Sequence, residues 1–365
     1  MGRRLLIASA LLAVVAAVLA FWLGRQQQDQ EERSYLPVRP DFSHLALITE
    51  PRTDDFDGMA ERRTIRALVV RSKTFYFFDG AVQRGLSYDR LKAFEAYVND
   101  RRDTGSPSIN MVFLPVTRDQ LIPALLAGYG DLAAANLTIT PERQAQVDFS
   151  IPVQREVREI LVTGPASEPI AAIEDLSGKT LHTRLSSSYH ESLTALNEHF
   201  AASGLPPVDI VPVDEHLEDE ELLEMVNASL MPRIVIDSHK AEFWAQILDS
   251  IEIRPGIVLR DHADIAWAFR PGSPKLKAMV DGFLTNVREG SLTGNLLLQR
   301  YLKETRYVEN ALHSSEMRKF DETAHLFQEY GDRYDFDWLM VMSQAYQESR
   351  LDQSLRSHAG AIGVM

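Results

Sequence analysis

Residues 129–150 read YGDLAAANLTITPERQAQVDFS, and the architecture is worked outward from them. Residues 131–135 are short and apolar, as a buried strand requires, and Gly128, Tyr129 and Gly130 before them form a turn. Thr140 stands where a helix N-cap belongs, Pro141 at the first helical position and Glu142 in the first turn. Arg143 therefore projects from the start of a helix just past a strand end. A guanidinium there offers paired donors beside unpaired backbone N–H groups, which suits a carboxylate. A plain ion pair with a neighbouring Glu is the other reading of the same residue.

Strand-like and helix-like segments alternate on both sides of this stretch. Residues 65–70 and 109–116 read as strands, with helical spacing between them at 88–98 (Leu91, Phe94, Tyr97, Val98) and after them at 120–127. The pattern recurs with strands at 180–183, 210–213 and 234–236 and helices at 189–200 and 220–226. Strands separated by helices imply parallel, helix-covered sheet, and two such halves of about a hundred residues imply a two-lobed α/β protein with a cleft. After Ser314 the pattern changes to helices alone, at 316–330 and 338–350.

Composition narrows the function. The 365 residues carry 38 Lys+Arg against 52 Asp+Glu, a net charge of -14, with no basic block. Phosphate binding needs clustered cations, so nucleic acid is not an expected partner. The absence of cysteine excludes thiol nucleophiles, Cys-ligated zinc, disulfides and a lipidated Cys. At the N-terminus Arg3 and Arg4 precede an uncharged run over 5–24, long enough for the roughly 30 Å of a bilayer core. It reads as an N-terminal transmembrane helix with the rest of the chain exported, a cleavable signal peptide being the alternative. The membrane is accordingly an expected partner, and the polar residues after it read as a stalk.

Three motifs are set aside. Residues 128–133 match a dinucleotide fingerprint loosely but follow a helix and precede a strand, the reverse of what a phosphate loop needs. His190-Glu191 opens like a zinc-protease helix, but Thr194 stands in place of the second His. The remaining histidines are scattered, so no metal and no cofactor is expected. The acidic run over 214–224 reads as a solvated helix face.

The segment 129–150 resembles the hinge-proximal segment of the periplasmic amino-acid-binding proteins of ABC transporters. The likeness extends more weakly over residues 64–302. Gly85 to Asp89 (GLSYD), 176–191 (LSGKTLHTRLSSSYHE) and 265–302 resemble the family's first helix, the opening of its second lobe and its return to the first. The resemblance implies a two-lobed periplasmic-binding-protein-like fold over 64–303. It implies that Arg143 and Thr138 hold a ligand α-carboxylate, with Asn136 also facing the ligand. Ser187 and Ser188 are implied as second-lobe carboxylate contacts, and Asp237 as the acceptor of the α-amino group. Phe75-Tyr76-Phe77-Phe78-Asp79 departs from the family's Pro-containing aromatic stretch. An amino acid or a muropeptide is the implied ligand.

Asp337 is a candidate N-cap for the helix over 338–350, on which Val341, Ala345 and Glu348 share one side. A carboxyl at the edge of an apolar face tends to stay protonated and can serve as a general acid. An exposed Glu paired with Arg350 is the bland reading. Residues 345–352 (AYQESRLD) and 357–365 (SHAGAIGVM) resemble the soluble-lytic-transglycosylase domain, an all-α lysozyme-like fold whose start would occupy 321–365. His358 and Val364 are mild departures. A binding-like module (64–303) behind an anchor (1–24) and linker (25–63), then a second linker (304–320) and this domain, is the layout of the membrane-bound lytic murein transglycosylase F family.

That resemblance implies cleavage of the bond between N-acetylmuramic acid and N-acetylglucosamine in peptidoglycan glycan strands. Glu348 would protonate the glycosidic oxygen and then act as base on the muramic 6-hydroxyl, closing a 1,6-anhydro ring. No second carboxylate is required, unlike in most glycosidases. Ser349, Ser357, Gly363 and Met365 are implied as substrate contacts. The family motif continues past Met365 and its Tyr-containing substrate motif does not occur here. The expectation is therefore an incomplete catalytic domain, inactive in this chain itself, because about 45 residues build too small a core. A non-enzymatic amino-acid-binding or sensory protein is the alternative.

Overall fold

The computed structural model describes residues 42–46, 49–79, 81–102, 107–305, 308, 314–334, 336–349, 351 and 356. The apolar run over 5–24 lies outside them, and among the described residues no helix is long and apolar enough to cross a membrane. Residues up to Thr49 form a unit of their own, of which Ser43–Ala46 is one helical turn.

From Glu50 the chain builds a first lobe in the order α1 (Phe56–Glu61), β1 (Thr64–Val69), β2 (Phe77–Asp79), β3 (Val82–Arg84), α2 (Leu86–Asp100), β4 (Asn110–Pro115), α3 (Arg118–Leu126), β5 (Leu132–Thr138), α4 (Pro141–Gln144) and β6 (Asp148–Phe149). β7 (Gln154–Thr163) then leads into a second lobe of β8 (Thr180–Thr183), α5 (Ser188–Ala202), β9 (Asp209–Pro212), α6 (Asp219–Asn227), β10 (Arg233–Asp237) and α7 (Ser238–Trp244). β11 (Glu252–Phe269) returns to the first lobe, which α8 (Pro274–Leu284) and α9 (Leu292–Leu302) complete. Two helices follow, α10 (Ser314–Tyr334) and α11 (Trp338–Ser349).

β1 pairs in parallel with β4 and β5 in the first lobe, and β8 in parallel with β9 and β10 in the second. The expected α/β alternation is thus present, with element ends shifted by one to three residues. Each lobe owns a core. Phe94, Trp267 and Phe283 meet edge-on or tilted in the first, at 5.3 to 6.2 Å between centroids. Leu193, Phe200, Leu223 and Trp244 centre the second.

Besides the short β2, β3 and β6, two long strands escaped the sequence reading. β7 and β11 are the antiparallel pair that both lobes share, and their charged, alternating sequences do not look like core strands. β11 runs 18 residues and joins the strands of the two lobes into one nine-stranded sheet, bonding β7 along one part and β5 along another. Its register against β7 shifts repeatedly, and Glu156 and His262 sit at positive φ (55° and 54°) and contact each other through their side chains. Bulges and left-handed residues let a strand pair bend, so this crossing is the hinge.

The turn inferred at Gly128 is real: its φ is +83°, and a Cβ would lie 2.8 Å from the Arg52 carbonyl oxygen. It delivers Asp131, fully buried at the head of β5, into a cage of cations. Arg66 and Arg62 each reach a carboxylate oxygen at 2.7 Å, and Arg270 stands 3.7 Å away. The Arg66 backbone N–H also donates to Asp131 at 2.8 Å, so one carboxylate ties β1 to β5.

α10 and α11 pack as a pair around Met342, Ala345 and Leu351, with Phe327 and Trp338 against them. Asp337 caps α11, accepting from the Met340 N–H at 3.2 Å. The lysozyme-like identity of this pair rests on the sequence resemblance, since two helices do not specify a fold.

Asp131→Ala removes the carboxylate shared by the buried Arg66 and Arg270 and the half-buried Arg62, so the chain should lose about 3–5 kcal/mol of stability in urea unfolding. A loss under about 1 kcal/mol would show that the cage is solvated.

Candidate functional site

The cleft forms where β5, α4, the start of α5 and the β10–α7 junction converge. α4 is as the sequence requires: the Thr140 hydroxyl accepts from the Arg143 N–H at 3.3 Å, and Pro141 opens the helix. Asn136 holds φ at 54°, a costly conformation that Asn tolerates better than most residues. Ser187 caps α5 by accepting from the His190 N–H at 3.2 Å.

The six residues expected to hold a ligand do converge. Asn136, Thr138, Arg143, Ser187, Ser188 and Asp237 all line one cavity of about 100 Å³. They spend many of their polar atoms on one another. The Ser188 hydroxyl donates to Thr138 Oγ1 at 3.2 Å, and Asn136 Nδ2 donates to Asp237 at 3.2 Å. Arg143 donates to the Thr138 carbonyl of its own lobe at 3.0 Å and to the Ser186 carbonyl of the other at 2.9 Å. Its nearest carboxylate, Glu191, is 3.8 Å away. Burial pulls the Arg143 pKa below its ordinary value. The lobes are closed on each other, and the cavity is well below the roughly 300–1,000 Å³ of ordinary ligand pockets.

The acidic run is where the sequence reading fails. Glu218, Asp219 and Glu220 are 3%, 2% and 2% exposed, so they are no solvated face. Each is buried against a cation or a donor. Arg118 crosses from the first lobe and grips Glu218 with two nitrogens, at 2.6 to 3.0 Å. Arg184 and Lys240 both bind Asp219, whose carboxyl they hold well below the usual range against the cost of burial. Lys73, from the first lobe, donates its backbone N–H to Glu220 and its ammonium to Glu224 at 2.6 Å. The helical period was legible, but which face is buried depends on cations 21 to 151 residues away.

Lys240 was also missed. Its Nζ lies 2.6 Å from Asp219, 2.9 Å from Asp237 and 3.2 Å from the Tyr189 hydroxyl, with the Phe75 ring centroid at 5.8 Å. Burial lowers the pKa of this amine, but the two carboxylates outweigh burial and raise it overall. The available signal was the spacing, because a Lys three residues after an Asp on a helix start faces back toward it.

Of the second constellation, Glu348 is exposed on the last turn of α11 and accepts from Gln344 Nε2 at 3.1 Å. Glu348 is thus exposed while Met342 and Ala345 are buried, as in the reading of an exposed Glu rather than of a carboxyl against the apolar face. Ser349 is buried, its hydroxyl donating to the Ala345 carbonyl at 3.0 Å. Ser357, Gly363 and Met365 lie outside the described residues. No cluster of three or more His, Asp and Glu is placed to hold a metal among the described residues.

The family model for bacterial extracellular solute-binding proteins, family 3, matches residues 73–303. A protein of Desulfosudis oleivorans named membrane-bound lytic murein transglycosylase F is 27% identical over 305 residues, 82% of this chain and 63% of its own. One of the same name from Methylobacillus flagellatus is 26% identical over 332 residues, 88% of this chain and 67% of its own. The chain thus spans about 63% of the length of the first of these relatives. Among solved structures, a variant of ArgBP from T. maritima superposes with a TM-score of 0.56 at 19% identity, covering 68% of this chain and 99% of its own. It shows the two-lobed fold.

Glu220 supplies a pH test of the closed cleft. Burial, with Glu218 beside it, lifts its carboxyl from 4.5 to about 7. A raised acid pKa means that the folded state holds a proton the unfolded state gives up. Its contribution is full below 4.5 and is lost as pH rises through about 7. Between about pH 5 and pH 8 the chain should lose up to ~3 kcal/mol more than Glu220→Gln does, read from urea unfolding at each pH. Parallel profiles for the two proteins would contradict the assignment.

Proposed function

Because the chain belongs to the bacterial extracellular solute-binding proteins, family 3, through residues 73–303, we propose that this module is the regulatory or targeting part of a lytic murein transglycosylase of the cell envelope. The observation that carries the reading is the conjunction of that module with a following helical segment. Relatives named lytic murein transglycosylase F align over 82% and 88% of the chain, and the segment presents Glu348 to solvent at a helix end. The extracellular family and the relatives' names both support a periplasmic, envelope-associated location, with residues 1–24 as the membrane anchor.

In this reading Glu348 protonates the glycosidic oxygen between N-acetylmuramic acid and N-acetylglucosamine. The carboxylate left behind takes the proton of the muramic 6-hydroxyl as that oxygen closes on the anomeric carbon, giving a 1,6-anhydro end. Exposure of Glu348 suits this role, since the acid must reach a polymer lying outside the helix pair. Ser349 acts from behind, fixing the last turn of α11 through the Ala345 carbonyl. Ser357, Gly363 and Met365 are the further substrate contacts in this reading. A free-standing amino-acid receptor is the second reading, supported by the convergence of Arg143, Thr138 and Asp237 on one cavity. The internal pairing of those residues weighs against it.

The test is digestion of purified peptidoglycan by the full-length protein, with products read by mass spectrometry. Anhydro-ended muropeptides should form, and Glu348→Gln should reduce their rate by about 10²–10⁴-fold, the usual worth of a general acid. Unaltered turnover in that variant would remove Glu348 from the mechanism. Absence of any anhydro product from the folded full-length protein would favour the receptor.

A further inference from the structure

Lys240 has the surroundings of a bound ligand's ammonium group. It is a cation 4% exposed at the back of the cleft. Two carboxylates, Asp219 and Asp237, and the Tyr189 hydroxyl surround its Nζ from the second lobe. The face of Phe75 from the first lobe completes the enclosure at 5.8 Å, a cation–π distance. Asn136, also of the first lobe, shares the Asp237 carboxylate at 3.2 Å. Acids, a hydroxyl and an aromatic face are the groups that recognise an amine, and here the amine arrives on the protein's own α7.

We propose that Lys240 is a tethered internal ligand: its ammonium fills the cation subsite of the cleft and holds the lobes shut around it, so that the module does not take up a free amino acid.

Three observations converge on this. The remaining cavity of about 100 Å³ is far smaller than ordinary ligand pockets. The contacts that would open for a ligand are already made across the lobes by Arg118–Glu218, Thr138–Ser188 and Arg143–Ser186. Removing the Lys240 charge would leave Asp219 with Arg184 and Asp237 with Asn136, a net anionic void in a buried place. Such a void binds a small cation, because an uncompensated buried charge is costly. The inference does not rest on the proposed catalysis and holds equally for a receptor-like module.

The experiment uses propylammonium, which replaces the side-chain atoms that Lys240→Ala removes, with n-propanol as the neutral control. Thermal melting and calorimetry are run on the wild-type protein, on Lys240→Ala and on Lys240→Met. Lys240→Ala should melt lower than wild type and be restored saturably by propylammonium, with affinity at least about tenfold above wild type and no effect of propanol. Lys240→Met, whose side chain fills the space without a charge, should melt lower and not be restored. Equal binding of propylammonium to wild type and Lys240→Ala would overturn the proposal. So would calorimetric binding of free α-amino acids to the wild type. If Lys240→Ala does not fold, Lys240→Met carries the decision: melting and lobe closure identical to wild type would sink the idea.

Discussion

Burying three consecutive acids is the constraint from which the rest of this cleft follows. Glu218, Asp219 and Glu220 open α6 almost wholly out of water. Carboxylates removed from solvent cost several kcal/mol each unless cations and donors replace the lost hydration. Arg184 and Lys240 meet that need from within the second lobe, while Arg118 and Lys73 meet it from the first. Because part of the compensation comes from the opposite lobe, opening the cleft would expose unpaired partners on both sides. Closure is thus a property of the chain's own charges.

The hinge is built for movement nonetheless. β7 and β11 cross between the lobes with repeated register shifts, and Glu156 and His262 take left-handed backbone there. A bendable hinge together with a self-paired cleft describes a module whose resting state is closed. Regulation by such a module would act on that closure, through whatever competes for its buried charges.

Much of this was legible in the sequence. The short apolar and helically spaced segments marked most strands and helices to within a few residues. Thr140 and Pro141 fixed the start of α4, and the turn at Gly128 was read from its place between helix and strand. What the sequence hid was long-range. β7 and β11 mix charged, partly exposed stretches with buried apolar ends, so neither looked like a core strand. The acidic run showed its helix but not its buried face, since the deciding partners, Arg118 and Lys73, lie 100 and 147 residues away. Glu348 was placed on the right helix, but the side it faces depended on how α10 and α11 pack.

The relatives' shared name and the family match give the module its setting, and the geometry gives it its resting state. The chain contains no cysteine, which makes distance measurement between two introduced labels direct. Ala96→Cys on α2 and Ala195→Cys on α5 place spin labels on exposed positions of the two lobes. Pulsed electron resonance on the ligand-free protein should give one narrow distance distribution, unchanged by a mixture of free amino acids. A broad distribution in the free protein that narrows and shortens when amino acids are added would contradict the account.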